Sequence, residues 1–112
     1  MPTKRELGNK LEDWVVERLK ELGDKFARRS RMSGAKYDTE DVVSSLIYCQ
    51  CKKRNTEHIT ISRKEWQKLQ DQIPVSSLKP EIYVNENKHE EKFVTMNAND
   101  FFRLLKKAIK GE

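Results

Sequence analysis

Between Thr3 and Leu22 the apolar residues Leu7, Leu11, Trp14, Val15, Leu19 and Leu22 recur at intervals of three and four, the period of one helical face. The pattern predicts a long amphipathic helix. It is closed by Gly23, since glycine readily adopts the left-handed conformation common just past a helix end, and Asp24 continues the turn. Lys25 to Ser30 reads as a short strand and Arg31 to Glu40, which contains Ser33-Gly34, as a polar loop. Val42-Val43 and then Leu46 to Cys51 bring β-branched and aromatic residues. Ser44 and Ser45 between them suit a tight turn, so a hairpin is expected. Thr60, Ile61 and their neighbours are expected to extend the sheet.

Ser62 to Glu65 has the form of a capping box, in which serine and glutamate satisfy each other's backbone donors at a helix start. Trp66, Leu69 and Ile73 mark the buried face of that second helix. Pro74 ends it, and Ser76-Ser77 leads through Pro80 into a strand at Ile82, Tyr83 and Val84. The polar segment from Asn85 to Glu91 turns the chain into Phe93, Val94 and Met96. Asn97 and Asp100 then form a capping pair for a last helix striped with Phe101, Phe102, Leu105 and Ile109. Lys106, Lys107 and Lys110 suit its C-terminal end. The order is helix, strands, helix, strands, helix, without an internal repeat, and this predicts a mixed α/β layer fold. At 112 residues the chain is expected to form one domain over 1–112, with an adequate but not large core.

Composition narrows the function classes. With 37% charged residues and a mean hydropathy of -0.90, the apolar runs fall short of a membrane span. The chain does not open on a basic segment followed by an apolar stretch, so a cytoplasmic location is expected. The net charge of +5 is unevenly placed. Lys25, Arg28, Arg29, Arg31 and Lys36 form one cluster and Lys52, Lys53 and Arg54 another. Such clusters beside a cleft favour a polyanion such as nucleic acid, although the same residues would also make a plain solvated face. Cys49 and Cys51 lie two apart on a predicted strand, where a mutual disulfide is awkward; both are expected to be buried free thiols. A zinc site would need more Cys or His at suitable spacing, and His58 and His89 stand in polar contexts expected to be surface.

The chemistry concentrates between Asp41 and Lys52. On a strand, Gln50 and Lys52 share one face while Cys49 and Cys51 take the other. An acid, an amide and a lysine converging at a sheet edge suit metal-assisted phosphodiester hydrolysis: oxygens hold a hard cation, and the ammonium steadies the attacking water or the developing charge. Asp38 or Glu40 are alternatives to Asp41. Glu12, beside the apolar face of the first helix, is either an exposed helix glutamate or a further carboxylate of this site. Trp14, Trp66 and the aromatics of the last helix read as core or as a dimer interface.

Gly8-x-x-x-Glu12 on the first helix, a basic strand followed by Ser and Gly, Asp41-Val42, and Gln50-x-Lys52 together resemble the PD-(D/E)XK nuclease superfamily. Within it, the arrangement is most similar to archaeal-type Holliday junction resolvases and their phage-borne relatives. The similarity runs on through Ile59 to Ser62, the helix with Trp66, Pro80 to Val84, Phe93 to Met96, and the Phe101 to Leu105 helix. It implies a restriction-endonuclease-like α/β fold, with a mixed central sheet flanked by helices. It also implies a Mg2+-dependent endodeoxyribonuclease, with Mn2+ as a substitute, that acts on branched DNA as a homodimer. Glu12, Asp41 and Gln50 would hold the metal, with Lys52 as the catalytic lysine. Ser30 or Ser33 would contact the scissile phosphate, and Arg28, Arg29, Arg31, Lys36, Lys53 and Arg54 would grip backbone phosphates. Two departures stand out: Gln50 occupies a position usually held by Glu, and Glu40 a position usually held by Pro. The first leaves open a nuclease-fold protein that binds DNA without cutting it. A small phage or mobile-element protein acting through protein partners is a third reading.

Overall fold

The computed structural model describes residues 4–30, 41–71, 73 and 79–111. The loop expected over Arg31 to Glu40, the stop at Pro74 and the Ser76-Ser77 link lie outside them. The first helix, α1 (Lys4–Glu21), ends as its sequence predicts. Gly23 has φ 98°, its N–H donates to the Lys20 carbonyl at 2.9 Å, and the Asp24 N–H donates to the Leu19 carbonyl at 3.1 Å. This pair of bonds is the Schellman closure, which satisfies carbonyls the helix itself leaves open.

Five strands follow: β1 (Arg28–Arg29), β2 (Val42–Val43), β3 (Tyr48–Lys53), β4 (Glu81–Glu86) and β5 (Lys92–Met96). They form a single sheet in chain order. All neighbours are antiparallel except β3 and β4, which are parallel. A parallel pair needs a crossover, and the second helix, α2 (Arg63–Asp71), lies in that connection. Leu11, Val15, Val16 and Leu19 of α1 pack on Ala27, Val42, Cys49 and Val84, which makes α1 the cover of one sheet face. Tyr83, on the opposite pleat, instead directs its hydroxyl to Glu65 of α2 at 3.4 Å. The fold is therefore α/β, with a mixed sheet between helices.

The Ser44-Ser45 turn has a specific anchor. The buried Asp24 carboxylate accepts from the Ser44 hydroxyl at 2.6 Å, the Ser45 hydroxyl at 2.8 Å, and the N–H groups of Ser45 and Phe26 at 3.1 Å each. Burial pushes Asp24 up, but these bonds outweigh it and hold the carboxyl below its ordinary value. The end of α1 is thereby fastened to the turn that leads into β3.

Several expectations need correction. Thr60 and Ile61 are not in a strand: they lie in the β3–β4 connection just before α2, and β3 is already paired on both sides, by β2 and β4. The capping box holds, with the Glu65 N–H donating to Ser62 Oγ at 3.1 Å and the Ser62 N–H to Glu65 Oε1 at 3.3 Å. The expected turn at Asn85 begins later, because Asn85 and Glu86 are buried in β4. Trp14 is 37% exposed, with Arg18 and Lys92 over its ring. The last helix, α3 (Ala98–Ile109), is capped by Asn97 but buries no residue, so its aromatic stripe is not core.

Candidate active site

Asp41 stands at the start of β2, between β1 and β3. The Asp41 N–H donates to the Cys49 carbonyl at 3.0 Å, and its own carbonyl accepts from the Ser30 N–H at 2.9 Å. Its carboxylate Oδ2 accepts the Cys51 N–H at 2.9 Å. The side chain thus takes a β3 donor that the short β2 strand does not pair, and this pins the carboxylate close to the plane of the sheet. It is only partly exposed.

On one face Glu12, from α1, comes within electrostatic range of Asp41. Burial first, then the Asp41 charge, pushes the Glu12 carboxyl up to about 7, against the pull of Arg29. Asp41 is also raised, by burial, while the Cys51 N–H and the Lys52 and Lys68 ammoniums pull it back. Cys49 and Cys51 turn toward α1 with their sulfurs 3.9 Å apart and form no disulfide. Cys49 is buried as expected and Cys51 only partly. The Cys51 thiol is held protonated by its contact with Cys49, by burial, and by the charges of Asp41 and Glu12.

By strand alternation Gln50 and Lys52 project to the other face. Gln50 is half-buried beside Tyr83 on β4, and Lys52 is exposed. Glu12, Asp41 and Lys52 are therefore linked through Asp41, with Gln50 one pleat away on the same face as Lys52. Among the described residues no three His, Cys, Asp or Glu side chains gather as a metal-binding group. The predicted donor set contains only two such residues, with the Gln50 amide as its third member. The Asp41 charge helps to raise the Glu12 carboxyl, and a bound divalent cation offsets that kind of repulsion. The donors present fit such an ion.

The expected phosphate-gripping cations divide differently. Lys53 is largely buried and pairs with Glu86 at 2.9 Å. Arg54 pairs with Glu65 at 2.8 Å and donates to Asn85 Oδ1 at 2.9 Å. Arg29 pairs with Asp13 at 2.9 Å. Lys53 and Arg54 thus tie the end of β3 to β4 and α2 through carboxylates. Arg28 donates to the Arg29 carbonyl at 3.2 Å, and Ser30 adjoins Asp41 through its backbone. Arg31, Ser33 and Lys36 lie outside the described residues. The sequence reading missed Lys68, whose charge reaches Asp41 from α2. Its only trace in the sequence is a polar-face lysine one turn after Lys64.

The fold is α/β with a mixed sheet, and Glu12 of α1 lies within electrostatic range of Asp41 at the start of β2. No protein-family model matches the chain, and neither a characterised protein nor a solved structure is detectably similar to it.

Proposed function

We propose that this protein is a Mg2+-dependent endodeoxyribonuclease with a restriction-endonuclease-like core, acting on branched DNA such as a Holliday junction. The observation that carries the reading is the Glu12 carboxyl, raised by burial and by the charge of Asp41, with the Lys52 ammonium reaching the same aspartate. Glu12, Asp41 and the Gln50 amide oxygen would hold the cation. Once bound, that cation supplies Lewis acidity toward a phosphodiester and lowers the pKa of an attacking water. The Cys51 N–H holds Asp41 in orientation. Lys52, solvent-accessible and unburdened by an ion pair among the described residues, offsets charge that develops on phosphorus. Glu12, raised to about 7, binds a proton in competition with a cation, so occupancy rises with pH through neutrality.

A homodimer belongs to this proposal. Phe101, Phe102, Leu104, Leu105 and Ile109 of α3, with Phe93 and Val94 of β5, are all exposed. The α3 residues lie along one helix face, whereas Phe93 and Val94, adjacent on a strand, point to opposite sheet faces, so α3 supplies the candidate contact. A second copy is the occupant that would give a symmetric branched substrate two sites.

The test is incubation of the pure protein with a four-way junction, a linear duplex and a single strand, in Mg2+ and in EDTA. Mg2+-dependent product, most abundant from the junction, is expected. Absence of product from every substrate overturns the nuclease reading, and salt-sensitive binding without product favours a DNA-binding protein with the same fold.

A further inference from the structure

Three cations near the site are already engaged: Arg29 with Asp13, Lys53 with Glu86, and Arg54 with Glu65. Arg63, Lys64 and Lys68 make no ion pair among the described residues. These three, with Gln67 and Asp71, line an open groove of about 600 Å³ along α2. The single acid of that lining, Asp71, accepts from Gln67 Nε2 at 2.9 Å, so the groove carries a net excess of positive charge.

Its position matters as much as its sign. Glu65, one turn before Lys68 on α2, contacts the Tyr83 hydroxyl at 3.4 Å, and Tyr83 is the β4 register partner of Gln50. Thus α2 lies over the sheet face that carries Gln50 and Lys52, and the Lys68 charge reaches Asp41. The groove therefore runs along one rim of the candidate active site. Lys64 and Lys68, four residues apart on a helix, present their charges side by side about 6 Å apart, comparable to the step between successive phosphates of one strand. Arg63 and Lys64 also sit in the first turn of α2, where the helix dipole adds positive potential.

We propose that the α2 groove, through Arg63, Lys64 and Lys68, is a phosphodiester-binding track that leads a nucleic-acid backbone to Asp41 and Lys52. The proposal deepens the nuclease reading and rests on it for the identity of the polyanion. It transfers the gripping role from Lys53 and Arg54, which are tied up inside the fold, to cations that face solvent. Contacts of this kind read backbone and not bases, so the track is insensitive to sequence.

The test uses the full chain in EDTA, where binding is separated from cleavage, with fluorescent four-way junction and linear duplex as probes. The triple variant Arg63→Gln, Lys64→Gln, Lys68→Gln is compared with the native protein and with Lys106→Gln, Lys107→Gln, Lys110→Gln on α3, which removes equal charge elsewhere. The groove variant is expected to bind at least about tenfold more weakly, with a plot of log affinity against log salt shallower by about 2 to 3, while the α3 variant loses less than about threefold. Lys68→Gln alone should reproduce part of the loss. Unchanged affinity and slope in the groove variant, or equal losses in both triple variants, overturn the track. If the native protein binds no DNA, the track and the nuclease reading fall together. If binding depends on the groove but Mg2+ yields no cleavage, the track stands and only the nuclease reading falls.

Discussion

Glu12 has its carboxyl held up to about 7, by burial first and by the charge of Asp41 second. An acid raised on folding favours the folded state below its unfolded value and loses that contribution as pH rises through the folded one. In metal-free buffer, Glu12→Gln should therefore raise the melting temperature relative to the native protein at pH 8 and change it little at pH 4. Equal shifts at both pH values would contradict the placement of Glu12. Asp24 runs the other way: its acidity is strengthened by four hydrogen bonds that outweigh burial. Its contribution is present above the ordinary carboxylate pKa and fades as pH falls through the depressed value. Asp24→Ala strands two hydroxyls and two N–H groups and should cost about 2 to 4 kcal/mol in urea unfolding at pH 7. The importance of Asp24 was hidden in the sequence, where it reads as the residue after a helix-ending glycine. Its partners at Ser44 and Ser45 become neighbours only when α1 lies on the sheet.

Elements with a strong local period were legible. Spacing alone located α1, α2 and α3, and β-branched runs located β2, β3, β4 and β5. The Ile59 to Ile61 run carried the same β signal without a strand, because β propensity depends on context and this run lies in the crossover beside a β3 already paired on both sides. The spacing of Gln50 and Lys52 correctly set both on one face. The fates of Lys53 and Arg54 were not legible, because their partners Glu86 and Glu65 arrive through the β3–β4 crossover. From that difference, Arg54→Ala, which leaves Glu65 and Asn85 without their cation, should destabilise the fold by about 2 to 3 kcal/mol. Lys52→Ala should change stability by less than ~0.5 kcal/mol, yet slow Mg2+-dependent cleavage about a hundredfold or more. Paired unfolding and cleavage assays check this, and a destabilised Lys52→Ala protein with unaltered cleavage would reverse the assignment.

For the whole molecule, α3 is the element with the least internal support. A twelve-residue helix with no buried residue is marginal in water on its own, and its stripe of Phe101, Phe102, Leu104, Leu105 and Ile109 is left exposed. In the proposed homodimer the native protein should sediment as a dimer at micromolar concentration, and Phe102→Asp with Ile109→Asp as a monomer with an unchanged sheet signal by circular dichroism; a native monomer would remove the pairing. The central claim is that one early helix and the start of β2 bring two carboxylates around a cation next to a lysine. Anomalous scattering from crystals soaked in Mn2+ tests it most directly. The account predicts one manganese peak about 2.2 Å from carboxylate oxygens of both Asp41 and Glu12, with Lys52 beside it. A map with no peak there, and the two carboxylates turned to separate surfaces, would contradict it.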